Sequence, residues 1–317
     1  MRQLLFFFLL IPIFAFSQNF ENVDNTVLKY PKFSKVEDLA HQIEQDFSSD
    51  IDKTRAAFFW LSKNIRYNLK ELYNPKQRSY RFSYGSEAEK INKLQAIKDK
   101  LVAATFKNKI GVCEEYAQSF KKICDLLNIK AEVIKGHVRN DASEIGKIAN
   151  ISNHAWNAVK VNGKWLVLDA TWAAGSEYNG KWIRKFNNYF FDMPKEKIFK
   201  THFPEDALWV LRFGRMTLEE FYNQPIYGKG LLNSKAALIS PDTGIIRVKS
   251  EKNIDLKFRN FENSALVYYT FTGMKYAQKP LISKENGITT LTIKNPQKNS
   301  KLLLFIDTKI ALQFRTR

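Results

Sequence analysis

Residues 153–172 read "NHAWNAVKVNGKWLVLDATW", and the pairing of this stretch decides the fold. At its centre stands Asn162-Gly163, the strongest short hairpin signal, because both central positions of a type I′ turn need positive φ. A two-residue loop pairs Val161 with Lys164. Carried outward, that register sets His154 opposite Thr171 and Trp156 opposite Asp169. Side chains alternate along a strand, so these four face the same side. His154 and Asp169 become diagonal neighbours, about 7–8 Å apart between Cα atoms and within side-chain reach. The hairpin therefore puts a carboxylate behind an imidazole in a chain with only four histidines.

A carboxylate on one ring nitrogen fixes the tautomer and stabilises the imidazolium. The other nitrogen then needs a nucleophile, and "GVCEEYAQSFKKICDLLNI" supplies one. Tyr116, Phe120, Ile123, Leu126 and Leu127 recur at helical spacing, so Cys113 opens a helix directly after a turn through "KIGV". Helix N-termini favour thiolates, and a neighbouring imidazolium favours them further. The backbone N–H of Cys113 is also placed to help hold an oxyanion. Glu114 and Glu115 follow at once, and their charge opposes the thiolate wherever it points inward.

Cys113 and Cys124 are the two cysteines of the chain. Eleven residues of helix rise ~16 Å, whereas a disulfide needs Cα atoms roughly 4.4–6.8 Å apart. Both are expected as free thiols, Cys124 as part of the core. His41, His137 and His202 show no ligand spacing to one another, so no metal site is expected. Nor does the chain carry a phosphate-binding glycine loop or another cofactor motif. Trp156, Trp165 and Trp172 read as packing residues, with Trp156 and Trp172 the candidates to line a cleft.

"GVCEEYA", "NHAWNAV" and "LDATW" resemble the three motifs of the transglutaminase-like superfamily, in the order Cys, His, Asp. "FFWLSKNIRY" is similar to the helix that precedes its catalytic segment. "HFPEDALWVL" resembles the tail of its bacterial and kyphoscoliosis-peptidase-like members. The likeness covers roughly residues 35–225. It implies an α+β, papain-like fold in which the Cys113 helix packs on an antiparallel sheet. It also implies Cys113 as nucleophile, His154 as general base and acid, and Asp169 as the orienting carboxylate. Glu115 departs from the pattern, since many relatives carry glycine there.

The rest of the chain fits around this unit. "SKVEDLAHQIEQDF" and "DIDKTRAAFFWLSKNIRYNL" read as helices, the second capped by Asp50 or Asp52. "YNPKQRSYRFSYGSE" reads as a long loop and "EKINKLQAIKDKLVAATF" as a further helix. "AEVIKGHV" reads as a strand, and the polar loop Arg139–Asn153 as a candidate rim of the cleft. The text after Trp172 is irregular and aromatic. From about residue 229 six short β-rich runs follow, "GIIRVKS", "IDLKFRN", "ALVYYTF", "ITTLTIK", "KLLLFID" and "IALQFRT", which argue a small β-sandwich. The expected division is a transglutaminase-like domain over 18–228 and a sandwich-like all-β domain over 229–317.

Residues 1–17 combine Arg2, an apolar run and the small residues Ala15 and Ser17. They read as a secretory signal peptide, too short for a membrane span. The mature chain is expected to be secreted or periplasmic. The net charge of +18 comes from scattered lysines and reads first as a solvated, Lys-rich surface, with an anionic cell-surface polymer as the alternative partner. Nucleic acid is not expected, for no recognition motif accompanies the charge. Two function classes remain: a cysteine-dependent acyl-transfer enzyme acting on protein or peptide amides, and a non-catalytic module whose vestigial triad accompanies a domain that docks a glycan or protein.

Overall fold

The computed structural model describes residues 19–74, 82–248, 252–262 and 265–317. The expected signal peptide, residues 1–17, lies outside the described residues, as do residues 75–81 of the expected loop. Among the described residues no helix is long and apolar enough to cross a membrane.

The first core is a mixed layer of helices on one antiparallel sheet. Helix Asp50–Asn64 is its axis, buried along nearly all of its middle, from Lys53 to Ser62. Its cap is neither Asp50 nor Asp52: Ser49, in extended conformation, accepts the N–H of Asp52 at 3.2 Å. Trp60 on this helix stacks on Phe106 of helix Glu87–Asn108 at 5.2 Å. Helix Cys113–Leu126 lies between them and the sheet, and the hydroxyl of Tyr116 donates to the Ile65 carbonyl at 2.6 Å.

The sheet runs in the order Lys164–Leu168, His154–Val161, Ala131–Val138, His202–Pro204, with each neighbouring pair antiparallel. Its first hairpin has the expected register, from Val161 with Lys164 to Asn157 with Leu168. Asn162 and Gly163 adopt φ of 49° and 78°, as a type I′ turn requires. Asn157, 1% exposed, donates to the carbonyls of Ala117 and Glu132 at 3.0 and 3.2 Å. A single buried amide thus fastens the Cys113 helix to two strands of the sheet.

The segment after Trp172 is more regular than its sequence suggests. Gly175–Tyr178 and Lys181–Arg184 form a hairpin, and Arg184 anchors it by donating to the carbonyls of Ser62 and Ile65.

A second core lies between two sheets of the C-terminal region. One runs Ala237–Ser240, Asn253–Arg259, Ile288–Lys294, Leu281–Glu285; the other runs Ile245–Ile246, Lys309–Thr316, Ser300–Ile306, Val267–Phe271. Alternate residues such as Leu256, Phe258, Leu291 and Ile293 meet Leu302, Leu304, Leu312 and Phe314 in one buried cluster. All six expected runs contribute strands, and Ala237–Ser240 and Leu281–Glu285 are two more that the sequence reading passed over.

The two parts are tied through residues 139–145. The Arg139 guanidinium donates to the carbonyls of Tyr222, Gln224 and Pro225. Arg315 donates to Ile145 O at 2.8 Å, Gln313 to Asn140 O at 3.2 Å, and Lys301 meets Asp141 at 2.5 Å. The first part of the loop read as a candidate cleft rim is therefore braced by the last strands of the chain.

Candidate functional site

Cys113 is the first residue of its helix and is half-buried. The two residues before its N-cap, Ile110 and Gly111, are not a loose turn. They pair in parallel with Arg66 and Tyr67, which sets the direction in which the helix leaves. Both cysteines are free thiols, and Cys124 is sealed in the core. Glu114 is engaged by the Gln118 amide at 2.9 Å. Glu115 turns back and accepts the Val112 N–H at 3.1 Å. The helix start thus carries its own carboxylate cap, as negative charge at a helix N-terminus prefers.

His154 begins the second strand of the sheet, beside Gly136. Its Nε2 lies 2.7 Å from Asp169 Oδ2. A carboxylate oxygen can only accept here, so Nε2 carries the proton and Nδ1 is left for the thiol. Cys113 is near enough to the ring to favour its charged form. His154 is 7% exposed and Asp169 is 1% exposed.

Asp169 reaches His154 by a route other than the expected one. The ladder ends at Leu168, and Asp169 is not opposite Trp156, whose strand partner is Ile134. Instead it caps the short helix Ala170–Ala174, its Oδ1 accepting the N–H groups of Thr171 and Trp172 at 2.8 and 2.9 Å. Thr171 therefore belongs to that helix and not to a strand face. The physical reason is local: an aspartate in extended conformation satisfies two helix-start amides that a continuing strand would leave to a partner. Its other oxygen stays free to face the imidazole.

A second imidazole completes the group, and the sequence reading did not foresee it. His202 Nε2 lies 3.1 Å from the same Asp169 Oδ2, and its Nδ1 lies 2.7 Å from Thr201 Oγ1. The ring is 0% exposed. His41 and His137, by contrast, stand elsewhere, against Gln45 and Tyr222. The ligand atoms of His154, Asp169 and His202 lie within 4.8 Å of one another, as in groups that hold a metal. The 2.7 and 3.1 Å separations are those of N–H···O hydrogen bonds.

The charges follow from this geometry. Burial works against a charged His154, but the Asp169 carboxylate and Cys113 outweigh it and raise its pKa to about 10. Burial would lift the Asp169 carboxyl, yet the charge of His154 and the bonds from both imidazoles hold it well below the usual range. Burial pushes His202 the other way, below an ordinary histidine. Tyr67 is pushed up, first by burial and then by the negative charge of Cys113, Asp169 and Glu115, which places its phenol in the field of the site.

Trp156 is 1% exposed and stacks on His154 at 6.0 Å, so it supports the ring from within the core and offers no surface to a cleft. Trp172 is half-buried, 5.7 Å from the same ring, and remains available as a wall. Trp182 stacks on Tyr67 at 5.5 Å.

Residues 37–170 match the family model described as the transglutaminase-like superfamily, a span that includes Cys113, His154 and Asp169. Kyphoscoliosis peptidase of Homo sapiens is 24% identical over 243 residues, 74% of this chain and 33% of that protein. Hillarin of Drosophila melanogaster is 24% identical over 265 residues, 75% of this chain and 30% of that protein. The chain thus spans about a third of the length of these curated relatives. Among solved structures, the crystal structure of a TGase shares 20% identity over 50% of this chain and 37% of that one, with a TM-score of 0.30.

Proposed function

We infer that this chain, whose residues 37–170 form a transglutaminase-like domain, is an exported cysteine-dependent acyl-transfer enzyme acting on protein or peptide amides. The observation that carries the reading is the buried pair His154–Asp169, 2.7 Å apart. Cys113, at the start of its helix, raises the pKa of the same His154 ring.

In the proposed reaction the Cys113 thiolate attacks the carbonyl carbon of a carboxamide, forming an S–C bond, and the π pair of the C=O bond passes to the oxygen. The tetrahedral oxyanion is met by the Cys113 N–H at the helix start. His154 gives its Nδ1 proton to the departing nitrogen, the C–N bond breaks, and a thioester with a free amine results. Water or a second amine then attacks the thioester. His154 takes the proton released and the thiolate leaves, giving an acid or a new amide. The triad serves both outcomes equally.

Two measurements test the reading. The first follows iodoacetamide alkylation of Cys113 against pH, in the mature protein and in His154→Ala. At pH 6 a thiol of ordinary acidity is ionised in only about one molecule in three hundred. Wild type is therefore expected to react about a hundred-fold faster there than the variant. A thiol indifferent to His154 would sink the enzyme and leave a binding module. The second incubates a glutamine-containing protein with a fluorescent primary amine: label incorporation marks transamidation, and ammonia or new termini without label mark hydrolysis.

A further inference from the structure

We propose that His202 is a positioning residue of this site, a neutral second imidazole that holds Asp169 by donating its Nε2 proton to Oδ2 and so commits His154 Nδ1 to the thiol. The proposal rests on the acyl-transfer reading for its consequence, but not for its geometry.

The donor directions follow from elimination. Asp169 Oδ2 cannot donate, so the proton in the 3.1 Å contact belongs to His202 Nε2. If the ring is neutral, Nδ1 is an acceptor, and Thr201 Oγ1 at 2.7 Å is a hydroxyl able to donate to it. The surroundings ask for that neutral form. Trp156 and Trp172 each stand 4.9 Å from the His202 ring and Phe190 6.2 Å, three apolar walls with no second acid among them. The His154 ring, the one charged in the pair with Asp169, is 5.6 Å away. A second imidazolium in that box would share one carboxylate with the first and gain no other anion. Burial also depresses the His202 pKa.

The effect on Asp169 is a complete set of donors. Oδ1 takes two backbone N–H groups from the helix Ala170–Ala174, and Oδ2 takes two ring N–H groups. The carboxylate can neither rotate nor accept a proton without breaking one of the four. With Oδ2 held, the only arrangement of His154 that satisfies it is Nε2–H toward Asp169, which leaves Nδ1 to serve Cys113.

Two experiments decide this. In the intact wild-type chain, ¹⁵N–¹H correlation of the histidine rings from pH 5.5 to 9 should show His202 as the neutral Nε2–H tautomer throughout. A protonated ring or the Nδ1–H tautomer would overturn the proposal. In the second, Cys113 alkylation is followed from pH 5 to 9 in His202→Phe and His202→Gln. The phenyl ring keeps the packing and removes the donor. It should slow alkylation at pH 6 by about ten- to a hundred-fold, the worth of a hydrogen bond to a charged group, and displace the profile to higher pH. Glutamine, whose amide reaches the Nε2 position, should recover most of the loss. A folded His202→Phe that reacts like wild type would reduce His202 to packing, as would a glutamine variant as slow as the phenylalanine one. If wild type itself ignores His154, the acyl-transfer reading fails, while the tautomer measurement still judges His202 on its own.

Discussion

Glu115 accepts the N–H of Val112 at 3.1 Å across the first turn of the Cys113 helix. The acid two positions after the cysteine is thereby occupied in closing the helix start. With Glu114, it was one of two acids whose charge spoke against a thiolate. In this chain the side chain replaces what a free amide would otherwise lack.

Removing it should therefore cost stability before it changes chemistry. Glu115→Ala is expected to lower stability by about 1 kcal/mol, the usual value of a lost cap, and Glu115→Gln by less. Thermal unfolding with a matched alkylation assay checks this: Tm falls while Cys113 stays reactive. A large gain in reactivity on neutralising Glu115 would mean that its charge acts on the thiol after all.

The buried cluster also fixes a pH dependence. His154 has its pKa raised from the ordinary histidine value to about 10 on folding. Its contribution is full below the unfolded value of ~6.5 and is lost as pH rises toward 10. Asp169 is shifted down, so its contribution is full above the unfolded carboxyl value and is lost as pH falls through the folded one. The stability advantage of wild type over His154→Gln should accordingly shrink steadily between about pH 6.5 and 10. Urea midpoints measured across that range check the sign; an advantage that grows with pH contradicts it.

Gly136 sits between His154 and Pro204 in the ladder. A Cβ there would stand 2.2 Å from Phe203 O and 2.9 Å from Pro204 Cα, both backbone atoms that cannot step aside. Gly136→Ala must push the strand His202–Pro204 away. It should destabilise by about 1–3 kcal/mol as an overpacked site does, and in the folded fraction carry His202 off Asp169. Unfolding midpoints, read together with the His202 ring resonances, test both parts.

Two cations of the 139–145 stretch and its clamp should behave oppositely. Arg139, 4% exposed, serves three carbonyls at once, and a lysine cannot reproduce that fork. Arg139→Lys is expected to cost about 2 kcal/mol or more, as buried acceptors lose their partner. The Lys301–Asp141 pair is about two-fifths exposed on either side, so Lys301→Ala should change stability by less than ~1 kcal/mol. Equal losses in chemical denaturation would show that the surface pair holds the loop.

What could be read from residues alone follows the range of the interaction. Asn162-Gly163 is a local signal and set the register of the His154 hairpin. Identical dipeptides at Asn179-Gly180 and Asn286-Gly287 adopt the same positive φ values, yet both their hairpins were passed over. Around Asn286 the missed strand, Leu281–Glu285, is an exposed edge with no inward face and therefore no alternation. Asp169 as a helix cap was visible in principle, an aspartate before "ATWAA", but a five-residue helix leaves no period. His202 was out of reach, because its strand is three residues long and its partner lies thirty-three positions back. Only the folded sheet brings them together.

The placement of the two thiols governs how this protein would age. Cys113 is half-exposed, while Cys124 is sealed in the core eleven residues along the same rigid helix. A sulfenic acid formed at Cys113 finds no resolving thiol in its own chain. Its reversible fate is capping by a small thiol from the surroundings; otherwise the next oxidation, to sulfinic acid, is in general final. The lifetime of the site under oxidant is thus set by the medium, not by the molecule.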